Sequence, residues 1–273
     1  MIRRHLPSAR ARGLSMVELM VALTIGLILS VVIANLFVGT KASYRAQDDL
    51  SRVQENLRYA THVLSRAVRS AGYRADWNQS FDQVFGVGVP VVEGQDEASA
   101  HGDVLIVRFQ GGGAGTSPAG CAATNSCTGA DGTVVDCLGN RIDRAMGAAR
   151  FAENRFQVRS PGANGGPALF CSIDGGNTWT EIVPDIEALQ VLFGEKVSPQ
   201  PNIERLLPPG TGGQNLANVI AIRFALVHRS ATPSAGLVDT RTYDLLGATY
   251  DPPDDRRFRL ATATTVLIRN RSQ

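Results

Sequence analysis

The chain carries one long uninterrupted run of apolar residues close to its beginning. Leu19 to Val38 is twenty residues long and has no charged side chain, and its polar residues are Thr24, Ser30 and Asn35. A helix of this length spans about 30 Å, which is the thickness of the hydrocarbon core of a bilayer. The pattern therefore predicts a membrane-spanning helix over residues 19–38.

Beyond this run, the apolar positions narrow to a single stripe at helical spacing. They recur three or four residues apart and end before Gly72, a common stop signal after a helix. The stripe consists of Leu50, Val53, Leu57, Ala60, Leu64, Ala67 and Ala71. Because no proline interrupts the chain, we predict one helix over residues 14–71, membrane-spanning at 19–38 and amphipathic at 40–71. Gly26 and Gly39 are points where it can bend, and its stripe suits a coiled coil or packing against the chain's own domain.

After the predicted helix, the pattern changes to short apolar runs separated by glycine-rich turns. Asp103–Phe109 is predicted to be a buried strand, and residues 110–132 a long loop. Ala168–Ile173 and Thr178–Val183 flank Asp174-Gly175-Gly176-Asn177, a sequence that favours a tight hairpin turn.

Two later runs alternate between apolar and other residues, as strands with one buried face do. Val219–His228 places four apolar residues on one face: Ile220, Ile222, Phe224 and Leu226. Phe258–Ile268 is the predicted closing strand, with one face made of Phe258, Leu260, Val266 and Ile268. Since the strands mostly follow one another directly, we predict an antiparallel sheet laid on the helix, which is an α+β fold with a β-rich domain at 72–273.

Charge is distributed unevenly between the first thirteen residues and the rest of the chain. The first thirteen contain Arg3, Arg4, Arg10 and Arg12 and no acid; without them, 23 of the 27 basic side chains remain against 25 acidic ones. The positive-inside rule therefore places the first residues in the cytoplasm and the remainder outside. The nearly neutral body carries no long basic run, so no nucleic acid is expected as a partner.

Three interpretations of the N-terminus follow from these patterns. A cleaved secretory signal needs a small-x-small site just after the apolar run, and the residues around 34–36 offer no good one. An uncleaved signal anchor is the second interpretation. The third rests on Gly13-Leu14-Ser15-Met16-Val17-Glu18, which resembles the prepilin cleavage motif of type IV pilins, with Leu14 where Phe is more usual. This resemblance implies residues 1–13 as a leader, cleavage after Gly13 by a prepilin peptidase, and N-methylation of Leu14.

Glu18 stands at the beginning of the apolar segment. A charged side chain in a membrane span costs about 2.5–3.5 kcal/mol at the centre and less near an end, so a partner should offset it. The resemblance to pilins implies that this partner is the new amine of an adjacent subunit, which makes Glu18 a subunit-assembly residue. The alternative is an interfacial glutamate that reaches into the lipid headgroups.

Further stretches resemble the PilW family of minor type IV pilins. They are Ser43-Tyr44-Arg45, residues 50–60, Arg69-Ser70-Ala71-Gly72-Tyr73, residues 182–194, residues 219–230, and Thr264-Thr265-Val266-Leu267-Ile268-Arg269-Asn270-Arg271. The resemblance implies a non-catalytic subunit of the inner membrane that starts type IV pilus assembly, with its C-terminal domain in the periplasm and the pilus tip as a further location. It also implies that the amphipathic helix packs on the chain's own domain. The implied partners are other minor pilins, the major pilin, the prepilin peptidase and the pilus assembly platform.

The four cysteines, Cys121, Cys127, Cys137 and Cys171, do not have the paired spacing of a zinc site. An even number fits disulfides in an exported domain. Four cysteines allow three pairings, of which we predict Cys121–Cys127, closing the loop, and Cys137–Cys171, joining two strands.

Other function classes are less well supported. A type II secretion pseudopilin shares the leader and helix, and genes for secretion without pilus genes nearby would favour it. A membrane-anchored periplasmic hydrolase lacks sequence support, since no HExxH or GxSxG motif occurs. Residues 172–179 fit the Asp-box pattern S-x-D-x-G-x-T-W, which we interpret as a structural hairpin with Asp174 binding turn amides. No cofactor is predicted. PilW relatives often carry an Asp-rich segment that suits a hard cation at the position of residues 193–199, but these residues contain one acid and a lysine here, so no metal is predicted either.

Overall fold

The computed structural model describes residues 15–112, 133–142, 151–197, 202–233 and 238–271. The chain forms two compact units whose boundary lies between Asp48 and Asp49. Apart from Ser15, the described part of the first unit is helical and belongs to α1, which extends over Met16–Ser70. The helix is therefore continuous through both glycines at which a bend was anticipated.

The second unit combines the rest of α1 with a β-sheet and two short helices. The short helices are α2, Phe81–Phe85, and a single 3-10 turn at Leu216–Asn218. The strands are β1 Val92–Ser99, β2 Gly102–Phe109, β3 Ala152–Arg159, β4 Ala168–Ser172, β5 Thr180–Pro184, β6 Ile186–Glu195, β7 Arg205–Leu207, β8 Val219–Arg229, β9 Tyr243–Leu245, β10 Ala248–Tyr250 and β11 Arg259–Leu267.

The main sheet has nine strands, seven of them in the order β11-β8-β6-β2-β3-β4-β5, while β1 pairs with β2 and β7 with β6. All pairs are antiparallel except β2–β6, which is parallel and meets at Gly102 and Leu189. At this contact Gly102 has a φ of +98°, and a Cβ there would lie 2.2 Å from the Leu189 carbonyl oxygen. Only glycine allows the two strands to approach this closely.

The core lies between one face of this sheet and the second half of α1. Leu57, Ala60, Leu64, Ala67 and Val68 are buried in the same cluster as strand residues that include Leu105, Phe156, Leu189, Val191 and Phe224. Each fully buried leucine contributes roughly 1.5–3 kcal/mol relative to an exposed one. The predicted apolar stripe is thus the sheet-facing side of α1, although Leu50 remains 39% exposed.

The other face of the sheet has a smaller cover. There Ala188, Ala225 and Val227 pack with Leu245 and with Tyr243 and Tyr250 of the β9–β10 hairpin. The sheet is therefore buried on both sides in this region, which explains why β8 is apolar along nearly its whole length.

Several predicted strands are confirmed, and two details are corrected. The β4–β5 hairpin, the buried β2 and the apolar face of β8 occur where they were expected. Phe258 does not belong to the buried face of the closing strand: it precedes β11 and is 38% exposed. The strands also follow one another less directly than predicted, since β6 lies between β2 and β8.

Candidate functional site

The beginning of α1 is shaped by Ser15, which lies just before the first helical residue. Its side-chain oxygen accepts the Val17 N–H at 3.3 Å, and its carbonyl accepts the Leu19 N–H at 3.1 Å. Glu18 follows three residues later, the spacing of a capping box, and lies in the first helical turn. An acid at this position is stabilised by the positive end of the helix dipole, by roughly 0.3–1 kcal/mol.

The surface that follows Glu18 carries no charged side chain on any side of the helix from Leu19 to Val38. Every residue from 15 to 48 is exposed, and α1 is the helix in the described chain that is long and apolar enough to cross a membrane. The hydroxyls of Thr24, Ser30 and Thr40 bond to backbone carbonyls three or four residues earlier, at 2.7–2.8 Å. These hydroxyls therefore enter lipid or a helix interface with their hydrogen bonds already made.

The sequence-predicted site residues are only partly within the described chain. Glu18 is exposed in the first turn of α1. Gly13 and Leu14, the predicted cleavage site, lie outside the described residues, as do Cys121 and Cys127.

The disulfide Cys137–Cys171 is present with the predicted pairing, but it joins β4 to a turn that contains Cys137 and not to a second strand. Cys171 belongs to β4 and is fully buried, and the Cys137 N–H donates to the side chain of Asn154 on β3 at 3.2 Å. Asp136 shapes the same segment by accepting the N–H groups of Leu138 and Asn140 at 2.8 and 2.9 Å. The bridge and the bond to Asn154 attach residues 133–142 to the sheet, and the Asp136 bonds hold the turn within this segment.

The Asp-box hairpin has the structural geometry that was predicted for it. Asp174 accepts the Thr178 N–H at 2.9 Å and its hydroxyl at 2.6 Å, and the Ser172 hydroxyl at 2.8 Å. These hydrogen bonds, those to Thr178 first, lower the pKa of Asp174 to about 2. The Trp179 ring N–H donates to the Gly176 carbonyl at 2.9 Å and closes the turn.

The C-terminal end of α1 is held by residues that follow β11. The Asn270 side chain donates to the Ala71 carbonyl at 2.9 Å, which satisfies a backbone group left over at the helix end. The Arg271 guanidinium donates to the Leu216 carbonyl at 3.1 Å and lies 4.8 Å from the centre of the Phe81 ring. The end of the helix, the 3-10 turn and α2 are thereby fixed to the last residues of the sheet.

A buried group of charged residues on the sheet face opposite to α1 was not foreseen from the sequence. Arg259, with a fully buried side chain, donates to both oxygens of Glu187 at 2.6 and 3.2 Å and to Asp255 at 2.8 Å. Arg229 lies 3.2 Å from Asp185 and 3.6 Å from Glu187. Burial alone would lower the pKa of Arg259, but the bonds to Glu187 and Asp255 outweigh it and raise that pKa.

Residues in and just before the β9–β10 hairpin lie beside these charged residues, Asp185, Glu187, Arg229, Asp255 and Arg259, which we call the ionic cluster. Arg241 binds Asp239 through two nitrogens at 2.7 and 3.0 Å and holds the pKa of that carboxyl at about 2. Burial, followed by the neighbouring Glu187 charge, raises the pKa of Tyr250. The residues make a satisfied network, because each buried charge has an opposite partner.

A metal site is not evident in the described part of the chain. No group of three His, Cys, Asp or Glu side chains there is arranged to hold an ion.

Comparison with known proteins relates these features to pili. A family described as Type IV Pilus-assembly protein W matches residues 155–270, from β3 to just beyond β11, and the prokaryotic N-terminal methylation motif matches residues 8–34. Among solved structures, a type IV-like pilin from Thermus thermophilus is similar at 14% identity, with a TM-score of 0.41 over 81% of this chain and 100% of that one. No match was found among curated proteins. The methylation motif at the apolar helix and the family pattern across the sheet support the identification of the chain as a type IV pilus minor pilin of the PilW family.

Proposed function

We propose that this minor pilin joins other pilins in the inner membrane and primes polymerisation of the type IV pilus. One observation supports this role most strongly. The first part of α1 is apolar on all sides and wholly exposed, with the single acid Glu18 in its first turn. Such a helix is built to be surrounded by lipid in one state and by other helices in another. The match to the PilW family points to a structural subunit and not to an enzyme.

Processing is part of the same proposal. The peptidase cuts after Gly13, and the new amine of Leu14 then lies about one helical turn before Glu18. In an assembly, the amine of a neighbouring subunit reaches Glu18 in surroundings of low dielectric constant, where an ion pair offsets the cost of burying both charges. The Glu18 carboxylate then sets the axial offset between the helices of neighbouring subunits.

Orientation follows from the charges that flank the apolar run. Four arginines precede it, whereas Lys41 and Arg45 follow it, and this asymmetry supports a periplasmic β-domain. The Cys137–Cys171 bridge supports this assignment, because disulfides persist in the periplasm and are rare in the cytoplasm.

The priming role is tested by deleting the gene and counting surface pili, with retraction both intact and disabled. We expect few or no pili when retraction is intact and a partial recovery when retraction is disabled, because priming sets how often polymerisation starts. Re-expression of the full chain should restore the normal number. Normal piliation of the deletion strain in both backgrounds would contradict the role.

A further inference from the structure

Among the described residues, β11 ends the main sheet on one side, and no strand pairs with its outer edge. It pairs with β8 from Arg259↔Arg229 to Leu267↔Ala221 without a register shift. Backbone bonds just outside this range run from the Ser230 N–H to the Phe258 carbonyl and from the Ile268 N–H to the Ile220 carbonyl. Hydrogen-bonded pairs alternate along an antiparallel ladder, so the even-numbered residues bond to β8. The N–H and C=O groups of Ala261, Ala263, Thr265 and Leu267 therefore point outward.

This edge lacks the features by which proteins usually protect an exposed strand. From Leu260 to Leu267 it contains no charge, no proline, no glycine and no bulge. The strand at the opposite end, β5, is short, carries Glu181, ends in Pro184, and pairs across a register shift. Because an open, regular and uncharged edge favours pairing with another chain, the contrast points to a partner at β11.

A groove lies beside β11 and extends along one flank of α1. It has a volume of about 460 Å³, and Leu260 and Thr262 form its sheet side. Its helix side extends from residue 54 to residue 69, a length of about 22 Å at the rise of an α-helix. A strand of seven residues has nearly the same length, about 23 Å.

The charges of the groove restrict the sequence of its occupant. The helix contributes Arg58 and Arg69 to the lining, together with His62, and the lining contains no acidic residue. A strand added to β11 would direct alternate side chains toward this flank. An acidic side chain at such a position would meet one of the two arginines.

From these observations we propose that the open edge of β11 accepts an extended strand from another subunit of the pilus assembly, bearing an acid opposite Arg58 or Arg69. The identity of the partner rests on the proposed function, whereas the edge itself does not. The four outward residues of β11 each offer one backbone donor and one backbone acceptor. Hydrogen bonds to these groups would give affinity for an added strand, and the groove would select among strands by their side chains. This surface belongs to the second unit, whereas Glu18 belongs to the first.

The variant Ala263→Pro tests the proposal, because it removes an outward N–H and leaves the bonds between β11 and β8 in place. Ala263→Ser is the matched control that keeps the N–H. Each full-length chain is expressed in its host, extracted from membranes with detergent, and the co-purifying pilus subunits are quantified. We expect Ala263→Ser to recover them like wild type and Ala263→Pro to recover at least one subunit about tenfold less or lower still, since several hydrogen bonds are lost together.

Equal recovery with Ala263→Pro would overturn the proposal while leaving the pilin function intact. Failure of the wild-type chain to recover any pilus subunit would instead count against the proposed function. If Ala263→Pro does not accumulate, amide hydrogen exchange of the wild type decides. The amides of Ala261, Ala263, Thr265 and Leu267 should slow in the complex relative to the isolated full chain, and unchanged exchange, or pairing of β11 with a second copy of this chain, would overturn the assignment.

Discussion

At the scale of single residues, two buried groups give the β-domain opposite responses to acid. His228 is 2% exposed, neither of its ring nitrogens has a hydrogen-bond partner in the described chain, and burial lowers its pKa from 6.5 to about 4. Asp103 is also buried, and burial raises its pKa to about 6 although it accepts the N–H groups of Glu97 and Val191. Between these pKa values and the ordinary ones, the unfolded chain binds more protons than the folded chain at His228 and fewer at Asp103.

The His228→Leu variant should therefore change how stability depends on pH. The pKa of His228 is lower in the folded chain than in the unfolded chain. Its contribution to the free energy of unfolding therefore falls as the pH drops from about 6.5 to about 4. The wild type should therefore lose free energy of unfolding as the pH falls from 7 to 4, and His228→Leu should be spared this loss. The difference between the two proteins should change by on the order of 3 kcal/mol in favour of His228→Leu over this range. Chemical denaturation of the detergent-solubilised full chain at several pH values measures this.

His62→Leu provides the matched substitution, because His62 is exposed on α1. Its profile measures what replacing an exposed imidazole does, and the effect of His228→Leu is judged against it. Parallel profiles for wild type and His228→Leu would show that the folded chain accommodates the charged imidazole, contrary to this expectation.

The residues of the ionic cluster show where prediction from sequence ends. Glu187 and Arg259 are 72 positions apart, and a charged residue in a strand pattern looks like a solvent-facing one until its partners are known. A buried bidentate pair requires that β6, β8 and β11 be adjacent, which local patterns do not encode. Asp174 could be assigned correctly because all its partners lie within four residues.

At the scale of elements, local patterns predicted α1 and the β4–β5 hairpin, whereas the pairing of distant strands was missed. The three- and four-residue spacing of Leu57, Ala60 and Leu64 is sufficient to assign the buried side of α1. By contrast, the parallel contact between β2 and β6 depends on Gly102, and a glycine in sequence marks a turn as readily as a close approach of strands. The strand β3 was also missed, because Glu153, Arg155 and Gln157 alternate with its buried residues.

The disulfide connects two parts of the fold, because it attaches residues 133–142 to β4. Cys137 and Cys171 are 34 residues apart, and a cross-link over that distance should stabilise the fold by about 3–4 kcal/mol through the lost entropy of the unfolded chain. The free energy of unfolding of the double variant Cys137→Ala/Cys171→Ala should be lower than that of wild type by this amount, as measured by denaturant unfolding under oxidising conditions.

Reduced wild-type protein serves as the comparison for that variant. It should lose at least as much stability, because reduction also opens any other bridge. An oxidised wild type no more stable than the double variant would show that residues 133–142 are held by the bonds of Asp136 and Asn154 without help from the bridge.

At the scale of the whole molecule, each unit provides a different kind of contact. The first unit offers the apolar helix surface of residues 19–38, which Glu18 precedes, and the second offers a sheet with one protected edge at β5 and one edge at β11 that no described strand covers. A subunit that starts a polymer needs lateral contacts within a membrane as well as contacts between domains. Sequence alone predicted the first surface, because it is contiguous along the chain, but not the second, which arises only from the order of the strands.

The central claim is that α1 assembles with other pilins through Glu18. Replacement by Ala removes the charge and the acceptor, and replacement by Gln keeps the shape without the charge; Glu55→Ala, at an exposed acid farther along α1, is the control. Partner pilins that co-purify from membranes should fall strongly with both Glu18 variants, with Ala at least as impaired as Gln, while cleavage, insertion and the amount of protein stay as in wild type. Recovery of all partners at wild-type levels with Glu18→Ala would contradict the account and leave Glu18 as an acid that only stabilises the start of its helix at the membrane surface.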